Sequence, residues 1–196
     1  QHKKPMMPQG WLAAIVRIAI APTLWKTKFS YTTERMDLVG DQPCLILMNH
    51  CSFTDMKLAY GIFYPRKFGI VTSVDAMSGI LGKLMRLLGC TPTHKYVTDL
   101  TLIKDLEYML KKNKTSVLMY PEAGYSFDGC TTTLPRKLGV LMKKLGVPVV
   151  TVITQGAFHR DPLYNMLQIR DVKVSAHVKC LATPEKKKKK SVAELD

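Results

Sequence analysis

In the stretch Asn49-His50-Cys51-Ser52-Phe53-Thr54-Asp55 an imidazole is followed five residues later by a carboxylate. If a turn folds the two together, Asp55 accepts a hydrogen bond from one ring nitrogen and fixes the tautomer. The other nitrogen is then free to take a proton from a hydroxyl. Taken alone, H-x-x-x-x-D is a common spacing, and a histidine held for structural reasons is the plainer reading. A second stretch, Tyr120-Pro121-Glu122-Ala123-Gly124-Tyr125-Ser126, carries an acidic side chain and a glycine that lets backbone approach a ligand closely. Its plainer reading is a Pro-Glu-Gly turn. A third, Gly146-Val147-Pro148-Val149-Val150-Thr151-Val152, is by itself only a strand entered through a proline. Cys51 raises the idea of a thiol nucleophile beside His50. Neighbours on extended chain point to opposite sides, which sets that idea aside.

The elements around these stretches are readable from their periodicity. Cys44 to Met48 is a continuous apolar run that ends abruptly at Asn49–His50, as a strand buried on both faces would. Thr54 or Asp55 can cap a helix running to Phe63. Thr115 to Tyr120 is a second core strand, closed by Pro121, so Glu122 is delivered to the same edge of the sheet as His50. That edge, the C-terminal ends of the strands, is where open α/β sheets hold their ligands. Further strands are expected at Phe29 to Met36, Phe68 to Thr72, Val147 to Thr154 and Val172 to Lys179, the last near the sheet edge. Helices are expected at Ile80 to Leu88, at Leu100 to Lys112, and from Pro135 to Gly146. Strands interleaved with helices make the chain α/β, with helices packed on a mostly buried sheet.

In this order and at this spacing the three stretches resemble the lysophospholipid acyltransferase family, which includes the bacterial 1-acylglycerol-3-phosphate acyltransferases. Asn49, His50 and Asp55 match the family's N-H-x-x-x-x-D in full. Tyr120 to Ser126 stand where the family usually has F-P-E-G-T-R-S, and Val147 to Val150 follow its V-P-hydrophobic-hydrophobic pattern before Thr151 replaces a proline. A further motif, Gly and aromatics ending in Arg, is matched only loosely around His94-Lys95-Tyr96. The resemblance implies a mixed, mostly parallel sheet flanked by helices, of the glycerolphosphate acyltransferase type. It makes His50 the general base on an acceptor hydroxyl and Asp55 the group that orients it. Attack is directly on an acyl thioester, acyl-CoA or acyl-carrier protein, with no covalent acyl-enzyme, metal or other cofactor. Asn49, Ser52, Lys95, Glu122, Ala123, Gly124, Tyr125, Ser126, Arg136 and Lys137 are expected to bind substrate, and amides near Val149 and Val150 to help hold the oxyanion. Tyr125 falls where the family has an arginine for the acceptor phosphate, and a tyrosine lacks that charged, bidentate fork. Either Lys95, Arg136 or Lys137 supplies the charge, or the acceptor carries no phosphate there. A non-catalytic lipid-binding member of the fold and a hydrolase are the alternatives.

Composition agrees with one globular domain of 196 residues, 46% hydrophobic and 22% charged. Its formal net charge of +14 calls for an anionic partner. A membrane surface fits better than nucleic acid, because the basic residues are spread and no DNA- or RNA-reading motif is visible. Trp11 to Trp25 is apolar but short of the ~20 residues that span a bilayer, and Pro22 interrupts it. With a tryptophan at each end and lysines flanking it, the segment is expected to lie in the interface as an amphipathic helix, with a buried helix of the core as its plainer reading. The expected layout is a membrane-interface helix over 1–27, a catalytic domain over 28–183 and a basic tail over 184–196 that starts a further helix. The location expected is the cytoplasmic face of a membrane, peripheral or monotopic. Five cysteines without a C-x-x-C pair argue against a disulfide framework and a structural zinc site. A start at Gln1 rather than Met suggests a longer native chain.

Overall fold

The computed structural model describes residues 4–93, 100–126, 128–130, 133–160 and 170–184. The lysine block Lys186 to Lys190 and nearly all of the expected basic tail lie outside them. Seven strands form one sheet: β1 (Ser30–Glu34), β2 (Leu45–Met48), β3 (Phe68–Ser73), β4 (Thr91–Thr93), β5 (Ser116–Met119), β6 (Val149–Gln155) and β7 (Ser175–Ala182). Their order is β1-β7-β6-β2-β5-β3-β4, and every neighbouring pair is parallel except β6 with β7. The sheet is therefore mixed and mostly parallel, as the family resemblance implied.

Period-two alternation divides the core between the two faces of the sheet. Ile46 and Met48 of β2 join a cluster with Leu12 and Ile20 of α1 (Gly10–Lys26) and Leu58 and Phe63 of α2 (Thr54–Phe63). Leu45 and Leu47 point the other way, to Leu106 of α4 (Leu100–Glu107), Met109 and Leu110 just beyond it, and Leu145 of α5 (Leu138–Leu145). All four residues of β2 are buried, which is why its sequence shows no polar alternation. α1 fits tightly because Gly61 of α2 carries no side chain: a Cβ there would meet the Leu24 methyls at 3.0 and 3.3 Å. The opposite side of α1 leaves Trp11, Ile15, Ile18 and Trp25 exposed. Among the described residues, no helix is long and apolar enough to cross a membrane.

Several boundaries differ from expectation for local reasons. α5 begins at Leu138 rather than Pro135, because the Pro135 carbonyl accepts the Leu138 N–H in a separate turn. Asp55 does not cap α2 but lies inside its first turn; Ser52 Oγ accepts the Thr54 N–H instead. The helix from Leu100 widens to π geometry over Tyr108–Lys112. α3 (Gly79–Leu87) ends before Gly89, which has φ +79°. β7 starts and ends three residues later than expected and lies one strand in, covered at the edge by β1. β4 and α6 (Ala157–Arg160) were not expected. β4 carries Pro92, which an edge strand tolerates because a missing N–H can face solvent.

Candidate active site

Because β2 and β5 are adjacent and parallel, their C-terminal ends lie side by side, and the loops after Met48 and Met119 meet. Asn49 prolongs the ladder beyond β2. Its N–H donates to the Val152 carbonyl, and its side chain takes over from there. Asn49 Oδ1 accepts from Thr154 N–H at 2.8 Å and Thr154 Oγ1 at 3.0 Å, while Nδ2 donates to the Thr154 carbonyl at 3.1 Å. Nδ2 also lies 3.4 Å from Cys51 Sγ. The amide expected to touch substrate is engaged as a clamp between β2 and β6.

The chain then turns, and Asp55 gathers it from the first turn of α2. Its Oδ2 accepts the Cys51 N–H at 2.6 Å and the Ser52 N–H at 2.9 Å, and lies 3.0 Å from His50 Nδ1. An oxygen that already accepts two amides is an acceptor toward the ring as well, so the proton sits on Nδ1. Nε2 is thereby left with a lone pair, the arrangement a general base requires. Asp55 is fully buried, whereas the His50 side chain keeps 15% of its surface open. Asp55 Oδ1 and the Tyr120 hydroxyl have no hydrogen-bond partner among the described residues.

Two aromatic rings enclose the imidazole. Tyr120 stacks on one side with centroids 3.8 Å apart and planes 15° apart, and Tyr125 lies 3.9 Å away at 33°. Phe53 meets Tyr125 edge-on at 5.3 Å. Burial pushes the Tyr120 phenol well above its usual range, and the Asp55 carboxylate and Tyr125 add to that shift. Tyr120 is therefore a neutral phenol. Burial, followed by the Asp55 and Glu122 carboxylates, pushes the Cys51 thiol up to about 12, so it is no thiolate at neutral pH.

Tyr120 to Gly124 is a tight turn closed by the Ala123 N–H on the Tyr120 carbonyl, with Ala123 left-handed at φ +57°. Glu122, Ala123, Gly124 and Tyr125 are half-buried within it. Ser126 is buried, and its N–H donates to the His50 carbonyl at 2.8 Å, binding the two motif loops to each other. Its hydroxyl accepts the Gly129 N–H and lies 2.8 Å from the Cys130 carbonyl, so it organises the next turn. Ser52 serves the loop through its N–H to Asp55 and its hydroxyl on Thr54. Arg136 and Lys137 are exposed in the turn before α5, outside the hydrogen-bonded cluster around His50. Lys95, with His94 and Tyr96, lies outside the described residues. The amides of Val149 and Val150 do not reach the site. They pair beside Leu45 and Ile46 at the start of β2, and His50 is four residues beyond Ile46, ~13 Å along the strand. The aromatic enclosure was missed: the sequence marked Tyr125 as a substrate-binding position and a replaced phosphate ligand, not as a ring lying on His50. Among the described residues, no group of three His, Cys, Asp or Glu side chains is arranged to hold a metal.

A family model described as acyltransferase matches residues 28–155, well over half of the chain and inclusive of both motif loops. The chain belongs to the acyltransferase family. This acyltransferase also resembles a solved structure, the 1-acyl-sn-glycerophosphate (LPA) acyltransferase PlsC from Thermotoga maritima. The TM-score is 0.62 at 18% sequence identity, over 93% of this chain and 73% of that one. At that identity the likeness concerns the fold. No curated protein sequence gives a match. The acyltransferase thus has its His50–Asp55 pair at the strand edge of a PlsC-like sheet.

Proposed function

We propose that this acyltransferase moves a fatty acyl group from acyl-CoA or acyl-carrier protein to a free hydroxyl of a lysophospholipid such as 1-acylglycerol-3-phosphate. The observation that carries the reading is the His50 Nδ1–Asp55 hydrogen bond, which leaves Nε2 as a proton acceptor. Nε2 takes the hydroxyl proton while the acceptor oxygen attacks the thioester carbonyl. The tetrahedral adduct collapses by breaking the C–S bond, and the imidazolium returns its proton to the leaving sulfur. Asp55 orients the ring and stabilises its charge. Direct transfer without an acyl-enzyme is supported by the nucleophiles nearby: Cys51 is held as a thiol, and the Ser52 and Ser126 hydroxyls are buried and engaged. Glu122 to Gly124 line the acceptor side, Asn49 and Ser52 hold the frame, and Lys95, Arg136 and Lys137 are the candidates for an anionic headgroup. A second reading, an acceptor without a phosphate at this position, is favoured by Tyr125, whose uncharged ring lies on His50.

The acyltransferase works at the cytoplasmic face of an anionic membrane, held peripherally. Support comes from the exposed Trp11, Ile15, Ile18 and Trp25 of α1, with Lys26 at its end, and from the net charge of +14. The test is release of free thiol from acyl-CoA or acyl-carrier protein, measured with and without a panel of lysolipids. Thiol release should depend on the acceptor, and His50→Ala should lower it ~10²–10⁴-fold in a folded protein. Full activity in that variant overturns the mechanism.

A further inference from the structure

His50 needs one partner to act as a base, and Asp55 provides it. Nothing in that scheme requires both flat faces of the imidazole to be covered, yet two six-membered rings within 4 Å of its centroid do not fit on one face, so each takes its own. Tyr120 arrives from the end of β5, stacked at 3.8 Å, and Tyr125 comes from the far side of the Glu122–Gly124 turn, at 3.9 Å. Phe53, the residue before α2, braces Tyr125 edge-on. With Nδ1 at Asp55 and both faces shut, an acceptor hydroxyl is left the in-plane approach to the open edge, along the Nε2 lone pair. Once the ring takes a proton, its positive charge lies between two electron-rich faces. Both centroids are well inside the ~6 Å within which such a face attracts a cation, and partial desolvation strengthens the effect.

We infer that Tyr125 is a positioning residue: with Tyr120 it clamps the His50 imidazole edge-on to the acceptor and stabilises the imidazolium formed during transfer. The inference rests on the acyl-transfer reading for its kinetic part. The clamp itself is a property of the resting protein and can be tested separately. The ring face does the work, so phenylalanine should replace tyrosine, whereas a branched aliphatic chain should not.

The experiment compares wild type with Tyr125→Phe and Tyr125→Leu, each checked for an unchanged thermal melt. In wild type the His50 ring C–H resonances, assigned by their loss in His50→Ala, should be displaced upfield by the ring currents of both faces. Tyr125→Phe should keep that displacement and Tyr125→Leu should lose much of it. In acyl transfer, Leu should lower kcat about 3- to 30-fold with the acceptor KM nearly unchanged, and Phe should restore the rate. A Phe variant as slow as Leu, a change confined to KM, or an unaffected Leu variant each overturns the positioning role. Should wild type transfer no acyl group to any acceptor, the proposed function falls while the resonances still decide the clamp. Undisplaced resonances in wild type overturn it whatever the enzyme catalyses.

Discussion

Asn49→Ala removes an amide that completes the sheet beside His50. β2 ends at Met48, opposite Val152, so Thr154 two residues on has no β2 backbone to pair with. The Asn49 side chain supplies that missing partner, accepting from the Thr154 N–H and donating to its carbonyl. Both residues are buried, so water does not readily replace the lost amide. Each stranded buried group costs ~1–3 kcal/mol, and two such groups with some relaxation give about 3 kcal/mol. In a chain of this size each kcal/mol lowers Tm by roughly 2–4 °C, so the variant should melt about 6–12 °C below wild type. Circular dichroism melts measure the shift, and thiol release at a temperature where both proteins are folded measures the effect on the His50 loop. Pairing Asn49→Ala with Thr154→Val shows whether the two effects overlap rather than add. A melt within a degree of wild type would refute the clamp.

Ala123→Gly should stabilise the protein by roughly 0.5–1 kcal/mol, because Ala123 is held at φ +57°, where a Cβ is strained and glycine is not. A chemical denaturation curve in which glycine is the less stable variant would contradict that origin of the cost. Alkylation at pH 8 should label the exposed Cys130 and spare Cys51, whose thiol is pushed up to about 12, along with the buried Cys44, Cys90 and Cys180. Peptide mass spectrometry reads the sites, and early modification of Cys51 would refute its assigned state.

The edge of the sheet that carries the candidate site was legible because a buried strand writes itself as apolar sequence. Leu45 to Met48, buried throughout, and the apolar run Val117 to Met119 each end where the chain leaves the sheet, and the candidate site residues follow immediately. Recognition of the motif pattern then joined two loops whose contact depends on β2 and β5 being neighbours, which periodicity alone does not state. Register was the weak point. The Val149–Val150 run reads as a strand, but nothing in it says that its first residues lie beside Leu45 rather than His50. Pro135 suggested a helix start because its φ suits one, and the turn it makes instead depends on a local carbonyl contact. The stacking of Tyr120 and Tyr125 on one imidazole needs the left-handed Ala123 turn between them, and alanine carries no sequence signal for that conformation.

The bond from the Ser126 N–H to the His50 carbonyl gives His50 two masters. His50 belongs by sequence to the loop after β2, but its main chain is also tethered to the Tyr120–Ser126 loop. Under the proposed function, a lipid that settles against Glu122 to Gly124 would pull on the same peptide that aims the imidazole. Seating of the acceptor and alignment of His50 would then be one mechanical event, and a poorly fitting acceptor would be penalised in turnover as well as in occupancy.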